Sequence, residues 1–341
     1  MDKIKLFSQI ASKIKDTMQN IIGHKNIVSF LERSVKNDSV SHAYLFCGAR
    51  KLGKRTIAEN FSEILLQKTI VNHPDIHFVE RGYSEKENKL TKNISIEQIR
   101  ELEHKLSLSS FLNSYKIGII EEAELLSIEA ANSLLKTLEE PTAKTVIILI
   151  ASSVNSLPAT VVSRCQVFNF FPVASEEIYK HLIDLGAKRD DARDLASASW
   201  GKPGLAIDFW KNKDEEGEAS FSDYKKTATG LITAMSAETF TEKMNFFEKV
   251  FKEKKDTQEL IASLNNFFNV WLTLLRDMAL LQNGCRELVF NSVFENELKK
   301  IADNFDGSLF FKLSREIKKA SRYLGENFNP RLVVENLMLL L

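Results

Sequence analysis

The stretch from Tyr115 to Cys165 constrains this chain more than any other. Ile117 to Ile120 is short, apolar and β-branched, which predicts a buried strand. Glu121 and Glu122 sit directly at its C-terminal end. In an open α/β sheet that end is where ligands bind. Ser127 then suits a helix N-cap, Ala130, Ala131, Leu134, Leu135 and Leu138 keep helical spacing, and Pro141 stops the helix. Thr145 to Ala151 reads as a second buried strand, and Ser163, Arg164 and Cys165 lie on a connection beyond Pro158. The order is therefore strand, acidic pair, helix, strand, arginine.

A second such unit precedes it. Ser41 to Phe46 has the composition of a buried strand, and a helix is expected from about Thr56 to Gln67. Between them Gly48, Gly53 and Lys54 stand in the register of a phosphate-binding loop, G-x-x-x-x-G-K-[ST]. In such a loop backbone N–H groups close around phosphate, the lysine reaches the β- and γ-phosphates, and the hydroxyl holds Mg²⁺. Here Arg55 takes the hydroxyl position, and Thr56 comes one residue late. One residue turns a helix side chain by about 100°, away from the same metal. Arg50 and Lys51 add charge to the loop. Two readings of the loop compete: a working ATP site that tolerates Arg55, and a relic kept because it joins strand to helix. Loss of a metal ligand removes charge neutralisation that phosphoryl transfer depends on, which favours the relic.

The run from Ala131 to Leu138, followed by Glu139, Glu140 and Pro141, with Ser163-Arg164-Cys165 downstream, resembles bacterial clamp-loader subunits of the AAA+ class. Among these the chain is most similar to the delta-prime subunits of DNA polymerase III. The resemblance runs well from about Ile21 to Trp210 and more loosely beyond. It implies an α/β then all-α fold: an AAA+ parallel-sheet domain at 21–173, a helical lid at 174–212 and a helical collar at 213–341; before it, the spacing of Ile4, Phe7, Ala11, Ile14 and Met18 predicts an amphipathic helix within 1–20. It implies that Glu121 stands where the family usually has a metal-side Asp, and Glu122 where a carboxylate polarises water. It also implies that Arg164 projects into the nucleotide site of a neighbouring subunit. An arginine suits that task because it is always charged and forks onto phosphate oxygens. The opposing reading is an arginine paired to a carboxylate of its own fold.

Other departures point away from hydrolysis. Most relatives carry four cysteines of a zinc module before His-Pro-Asp. This chain passes from Gln67 almost directly to His73, Pro74 and Asp75 without one, so no zinc is expected. The final lid helix, near Lys202 and Leu205, lacks the arginine that senses nucleotide in active relatives. No tightly bound cofactor is expected, with ATP and Mg²⁺ held at most weakly at the degenerate loop. The partners implied are gamma/tau-type ATPase subunits, a delta subunit, the sliding clamp and, through the assembly, primed DNA.

The remaining sequence sets bounds. Lys+Arg and Asp+Glu both number 46, so the whole chain is not an electrostatic DNA binder. Cys47, Cys165 and Cys285 lie far apart and form no disulfide framework, which fits the reducing cytoplasm. No signal peptide or membrane span is expected. His24 has no second histidine nearby and reads as structural, and Glu124 as a solvated carboxylate. Gly82 to Lys92 reads as a solvated loop, and Ser95 with Gln98 as a capping box opening a helix. Beyond the charged linker at Lys211–Glu218, the stripes containing Phe246–Phe247, Phe267–Trp271 and Leu313–Ile317 read as helix core rather than platforms for bases. Three alternatives stay open: an active gamma/tau-type ATPase, a stand-alone nucleic-acid-binding module, and an AAA+ accessory protein outside replication.

Overall fold

The computed structural model describes residues 21–84, 89–111, 114–212, 220–253, 256–326 and 328–341. The amphipathic helix expected within 1–20 and most of the charged linker lie outside them. The described residues fall into two compact units. One runs to Glu177 and includes Lys202–Gly204; the other comprises Ile178–Gly201 and Leu205–Leu341.

The first unit begins with α1 (Lys25–Lys36), β1 (Ala43–Cys47), α2 (Lys54–Leu66) and β2 (Ile76–Val79). An antiparallel strand pair, β3 (Tyr83–Ser84) and β4 (Lys89–Leu90), then replaces part of the expected solvated loop. It is followed by α3 (Ile96–Ser107), β5 (Lys116–Ile120), α4 (Ile128–Glu139), β6 (Thr145–Ala151), the short α5 (Ala159–Val162) and β7 (Gln166–Asn169). The main sheet is parallel with order β2-β5-β6-β1-β7. Every residue of β1, β5 and β6 is buried. Strands covered on both faces need no polar alternation, which is why Ile117–Ile120 and Val146–Ala151 are continuously apolar.

Alternate residues feed two cores. Tyr44, Phe46, Val146, Ile148 and Ile150 pack with Leu31 of α1 and Ile57, Ala58 and Phe61 of α2. Ala43, Leu45, Ile147 and Leu149 pack with Ile99, Leu102 and Leu106 of α3 and Ala130, Leu134 and Leu138 of α4. The helix starts follow the sequence signals. Ser95 and Gln98 form a reciprocal capping box, and the Ser127 hydroxyl accepts from Ala130 N at 3.1 Å.

The second unit contains most of α6 (Ser175–Asp184), then α7 (Arg189–Ala198) and nearly all of α8 (Pro203–Lys211). These three short helices lie within the range expected for a helical lid, 174–212. Six further helices follow: α9 (Phe221–Ser236), α10 (Phe240–Glu253), α11 (Thr257–Gln282), α12 (Glu295–Ala302), α13 (Gly307–Gly325) and α14 (Pro330–Met338). Trp271, Phe247, Phe268, Leu274, Leu313 and Ile317 are fully buried, so the aromatic stripes are core. Within it lies one ionisable side chain that is fully buried, Asp277 of α11. Its carboxylate accepts from Phe290 N (3.0 Å), Asn291 N (2.7 Å) and Asn291 Nδ2 (2.5 Å) and pairs with Arg276 (2.8 Å). A buried carboxylate is tolerated only when its lone pairs are satisfied in this way. Among the described residues no helix is long and apolar enough to cross a membrane.

Candidate nucleotide-site remnant and exposed arginine

β1 ends at Cys47, and the chain turns through Gly48–Gly53 into α2. Gly48 N donates to Ala151 O of β6 at 3.2 Å, which ties the loop to the C-terminal edge of the sheet. Gly53, with φ 89°, is the N-cap of α2, a left-handed conformation that costs glycine little. The helix starts two residues before the expected Thr56, so Lys54 and Arg55 occupy its first turn.

Lys54 is buried and turned onto the loop itself. Its Nζ donates to the carbonyls of Gly48 and of Ala49 (2.7 Å for the latter). Burial holds its pKa below the usual lysine value, with Glu124 acting in the opposite sense. Glu124 is not simply solvated as expected: its carboxylate accepts from Ser152 N at 3.2 Å, at the end of β6.

Arg55 reaches three carboxylates. Its Nε donates to Glu59 at 2.8 Å, and Nη1 lies 2.7 Å from Glu80 and 2.8 Å from Glu121. The guanidinium also stands 5.3 Å from the centre of the Phe78 ring. The hydrogen bond to Glu59, followed by the field of Glu121, raises the Arg55 pKa further. Burial pushes the Glu121 carboxyl above its usual value, and Arg55 pulls it back. Glu122 adopts a left-handed backbone (φ 48°) and is gripped by Arg50 and by Arg81, the latter at 2.6 Å. A non-glycine residue in that region costs about 1 kcal/mol or more and persists when its surroundings hold it. Both acidic residues at the end of β5 are thus neutralised by arginines of the same chain.

A phosphate-loop metal needs a hydroxyl at the start of the helix and a free carboxylate opposite. Here the first is a guanidinium, and that guanidinium occupies the second. These residues do not fit Mg²⁺. Among the described residues no group of three or more His, Cys, Asp or Glu side chains is placed to hold a metal ion. The loop is also closed on itself by a later segment: Gly204 N donates to Lys51 O at 2.9 Å. A Cβ on Gly204 would stand 3.1 Å from that carbonyl, so any side chain there would make the loop give by a few tenths of an ångström.

His24 has the structural role expected of it. Its Nε2 lies 2.9 Å from Leu52 O, its ring packs on Phe170, and burial lowers its pKa. His73 is buried, and its Nδ1 accepts from Asp75 N at 3.2 Å, a turn contact before β2. Burial pushes the Cys165 thiol up to about 12, which leaves it inert as a nucleophile.

Arg164 lies elsewhere. It follows α5 and precedes β7, at the edge of the sheet where strands begin, whereas the loop lies where they end. At about 3.3 Å per strand residue the two are on the order of 15 Å apart, beyond one side chain's reach. Arg164 Nη1 donates to Thr160 O at 2.7 Å, and Nη2 pairs with Glu139 at 2.5 Å. Its side chain is 33 % exposed and that of Glu139 51 %. The structure therefore brings Gly48, Gly53, Lys54, Arg55, Glu121 and Glu122 together and keeps Arg164 apart. Sequence reasoning missed Glu59, Glu80 and Arg81 as partners in the cluster. Glu59 is signalled by its spacing of four residues from Arg55 on one helix; for Glu80 and Arg81 the only signal is charge at a strand end.

A family model described as DNA polymerase III, delta subunit, matches residues 23–174. DNA polymerase III subunit delta' of Bacillus subtilis is 27% identical, over 92% of this chain and 95% of its own length. A DNA polymerase III subunit gamma of Buchnera aphidicola (Acyrthosiphon pisum strain) is 25% identical over 84% of each chain. Subunit tau of Bacillus subtilis is 32% identical over 47% of this chain, and the match spans only 30% of tau.

Proposed function

We propose that the chain, similar to bacterial clamp-loader subunits of DNA polymerase III, is of the delta-prime type: a subunit that does not hydrolyse ATP efficiently and lends Arg164 to a neighbour. The observation that carries this reading is Arg55. It stands where the phosphate loop needs a metal-binding hydroxyl and is paired to Glu121, the carboxylate on the metal's other side. Phosphoryl transfer relies on metal and positioned charge, since little covalent chemistry is left for the protein. A loop whose lysine binds its own carbonyls and whose carboxylates bind its own arginines supplies neither.

Arg164 completes the reading. It is too far from its own loop to act there, and it lies half-buried at the opposite edge of the sheet. In the assembly it would exchange Glu139 for the γ-phosphate of ATP held by an adjoining gamma/tau-type subunit. The planar fork and permanent charge of arginine suit a phosphate whose charge spreads in the transition state. The other partners in this reading are a delta subunit, the sliding clamp and primed DNA, met through the assembled ring in the cytoplasm. ATP binding by the neighbours tightens the ring on clamp and DNA, and hydrolysis releases it.

The gamma and tau relatives favour a second reading, an active ATPase of that type. Equilibrium binding and turnover of ATP by the isolated chain separate the two. The delta-prime reading expects neither at millimolar Mg²⁺·ATP. Turnover at the ordinary enzymatic rate of about 1 s⁻¹ or more would establish the second reading.

A further inference from the structure

We propose that Arg55 is a built-in counter-ion that has replaced the metal at this site, and that the phosphate loop survives as a charge staple joining α2 to β2 and β5. The proposal deepens the non-hydrolysing reading and rests on it for the identity of the position. Three observations carry it beyond a lost ligand.

The first is placement. A cation in the opening turn of a helix faces the positive end of the macrodipole, and α2 has no acidic residue there to offset it. Such a residue breaks a local rule and needs compensation from elsewhere in the fold. The second is connectivity. The compensation comes from three segments: Glu59 one turn along α2, Glu80 just beyond β2, and Glu121 just beyond β5. One guanidinium thus ties the helix to two neighbouring strand ends, as a metal bound between loop and sheet would. The third is stoichiometry. Without Arg55, three carboxylates would face one another at the sheet edge, because Lys54 is committed to the Gly48 and Ala49 carbonyls. Arg50 and Arg81 are likewise committed to Glu122.

A metal site and a staple differ in what removal does. Loss of a residue that merely occludes a site leaves folding unchanged. Loss of the staple exposes carboxylate repulsion, which deletion of one carboxylate then relieves. Thermal unfolding of the full chain, in MgCl₂ and in NaCl of equal ionic strength, reads both. The chains compared are wild type, Arg55→Thr, Glu121→Gln and the double variant. The wild-type Tm is expected to be equal in the two salts. Arg55→Thr should lower it by about 2–4 °C for each kcal/mol lost in a unit of this size. Adding Glu121→Gln to Arg55→Thr should recover part of that loss, a coupling expected of residues in direct contact.

A wild-type Tm that rises in MgCl₂ overturns the proposal. So does an Arg55→Thr chain that melts with wild type, or losses that simply add in the double variant. If Arg55→Thr does not fold, Arg55→Lys, which keeps the charge and loses the fork, takes its place. A Tm for Arg55→Lys below that of wild type supports the staple, and a Tm equal to wild type overturns it. None of these readings uses ATP turnover. Hydrolysis by the wild-type chain counts against the delta-prime assignment, whereas the melting cycle decides the staple.

Discussion

Two arginines mark opposite edges of one parallel sheet, and they are held in different ways. Arg55, where the strands end, meets three carboxylates and an aromatic ring. Arg164, where the strands begin, meets one carboxylate that is half exposed, and a carbonyl of its own short helix. A single exposed pair contributes about 0–1 kcal/mol. Its arginine can leave for a better anion at little loss. An arginine forked among three carboxylates cannot leave without stranding several charges. The number of partners, and not burial, separates the two: the Arg55 side chain is 48 % exposed and that of Arg164 33 %.

The largest expected effect breaks the comparison at the exchangeable edge. Arg164→Ala in this chain alone, within a reconstituted clamp loader, should silence one ATPase site, a loss on the order of 10³-fold there. The clamp- and DNA-stimulated rate reads it. Arg164→Lys should rescue little, because a point charge does not reproduce the fork. Unchanged ATPase in a complex that still assembles would make Arg164 a structural residue and remove one half of the comparison.

At the fixed edge, the corresponding test concerns Lys54. In a working phosphate loop its removal abolishes nucleotide binding. Here its ammonium satisfies the carbonyls of Gly48 and Ala49 while largely buried. Lys54→Ala should therefore destabilise the chain by about 1–3 kcal/mol, the cost of leaving buried acceptors unpaired. Urea denaturation with an unchanged m-value measures it. A variant as stable as wild type would mean that those carbonyls find water, and that the loop is looser than its geometry implies.

Much of this fold was legible in the sequence, and the reasons are local. Ile117–Ile120 and Val146–Ala151 are apolar because both faces of their strands are covered. Ser95, Gln98 and Ser127 mark helix starts because capping is a matter of three or four residues. The substitution at Arg55 was legible against the loop pattern. Of its partners only Glu59, four residues along the same helix, has readable spacing. Glu80 is 25 residues away, Arg81 is 41 from Glu122, and no periodicity joins them; the parallel order β2-β5 does. The antiparallel pairing of Tyr83–Ser84 with Lys89–Leu90 was hidden because it lies in a polar run with turn composition and little strand signal. Asp277 was better advertised. It lies three residues after Leu274 and six after Trp271, on the buried face of an apolar helix, a position where a charge demands a partner.

The pH dependence of stability sharpens the contrast at moderate size. Burial raises the Glu121 carboxyl above its ordinary 4.5, and Arg55 offsets this only in part. Between that value and the raised one, the folded chain holds a proton that the unfolded chain has released. Stability therefore falls as pH rises through this window. Glu121→Gln should remove that slope, seen in urea midpoints taken from about pH 4 to pH 8. This agrees with the view that a buried pair gains little net stability, although breaking one partner alone is costly. His24 bends the curve the other way. Burial lowers its pKa from 6.5, so its contribution is present above that value and is lost as pH falls through the lowered one. His24→Gln, which retains a donor for Leu52 O, should flatten that limb. An unchanged slope in either variant would assign the dependence to other groups.

The smallest expected effect is the most discriminating for Arg164. Glu139→Ala removes the carboxylate that Arg164 pairs with in the isolated chain. If that pair only parks the arginine, stability should change by less than about 0.5 kcal/mol, as exposed pairs usually do. ATPase of the assembled complex should be retained, or rise slightly, because no internal anion then competes for the guanidinium. If instead the pair fixes α5 against α4, the same variant should destabilise the chain measurably and weaken the ATPase by misplacing Arg164. A urea curve on the isolated chain and a rate on the complex, taken together, separate a parked arginine from a positioned one. Only the first is consistent with two edges of one sheet holding their arginines for opposite ends.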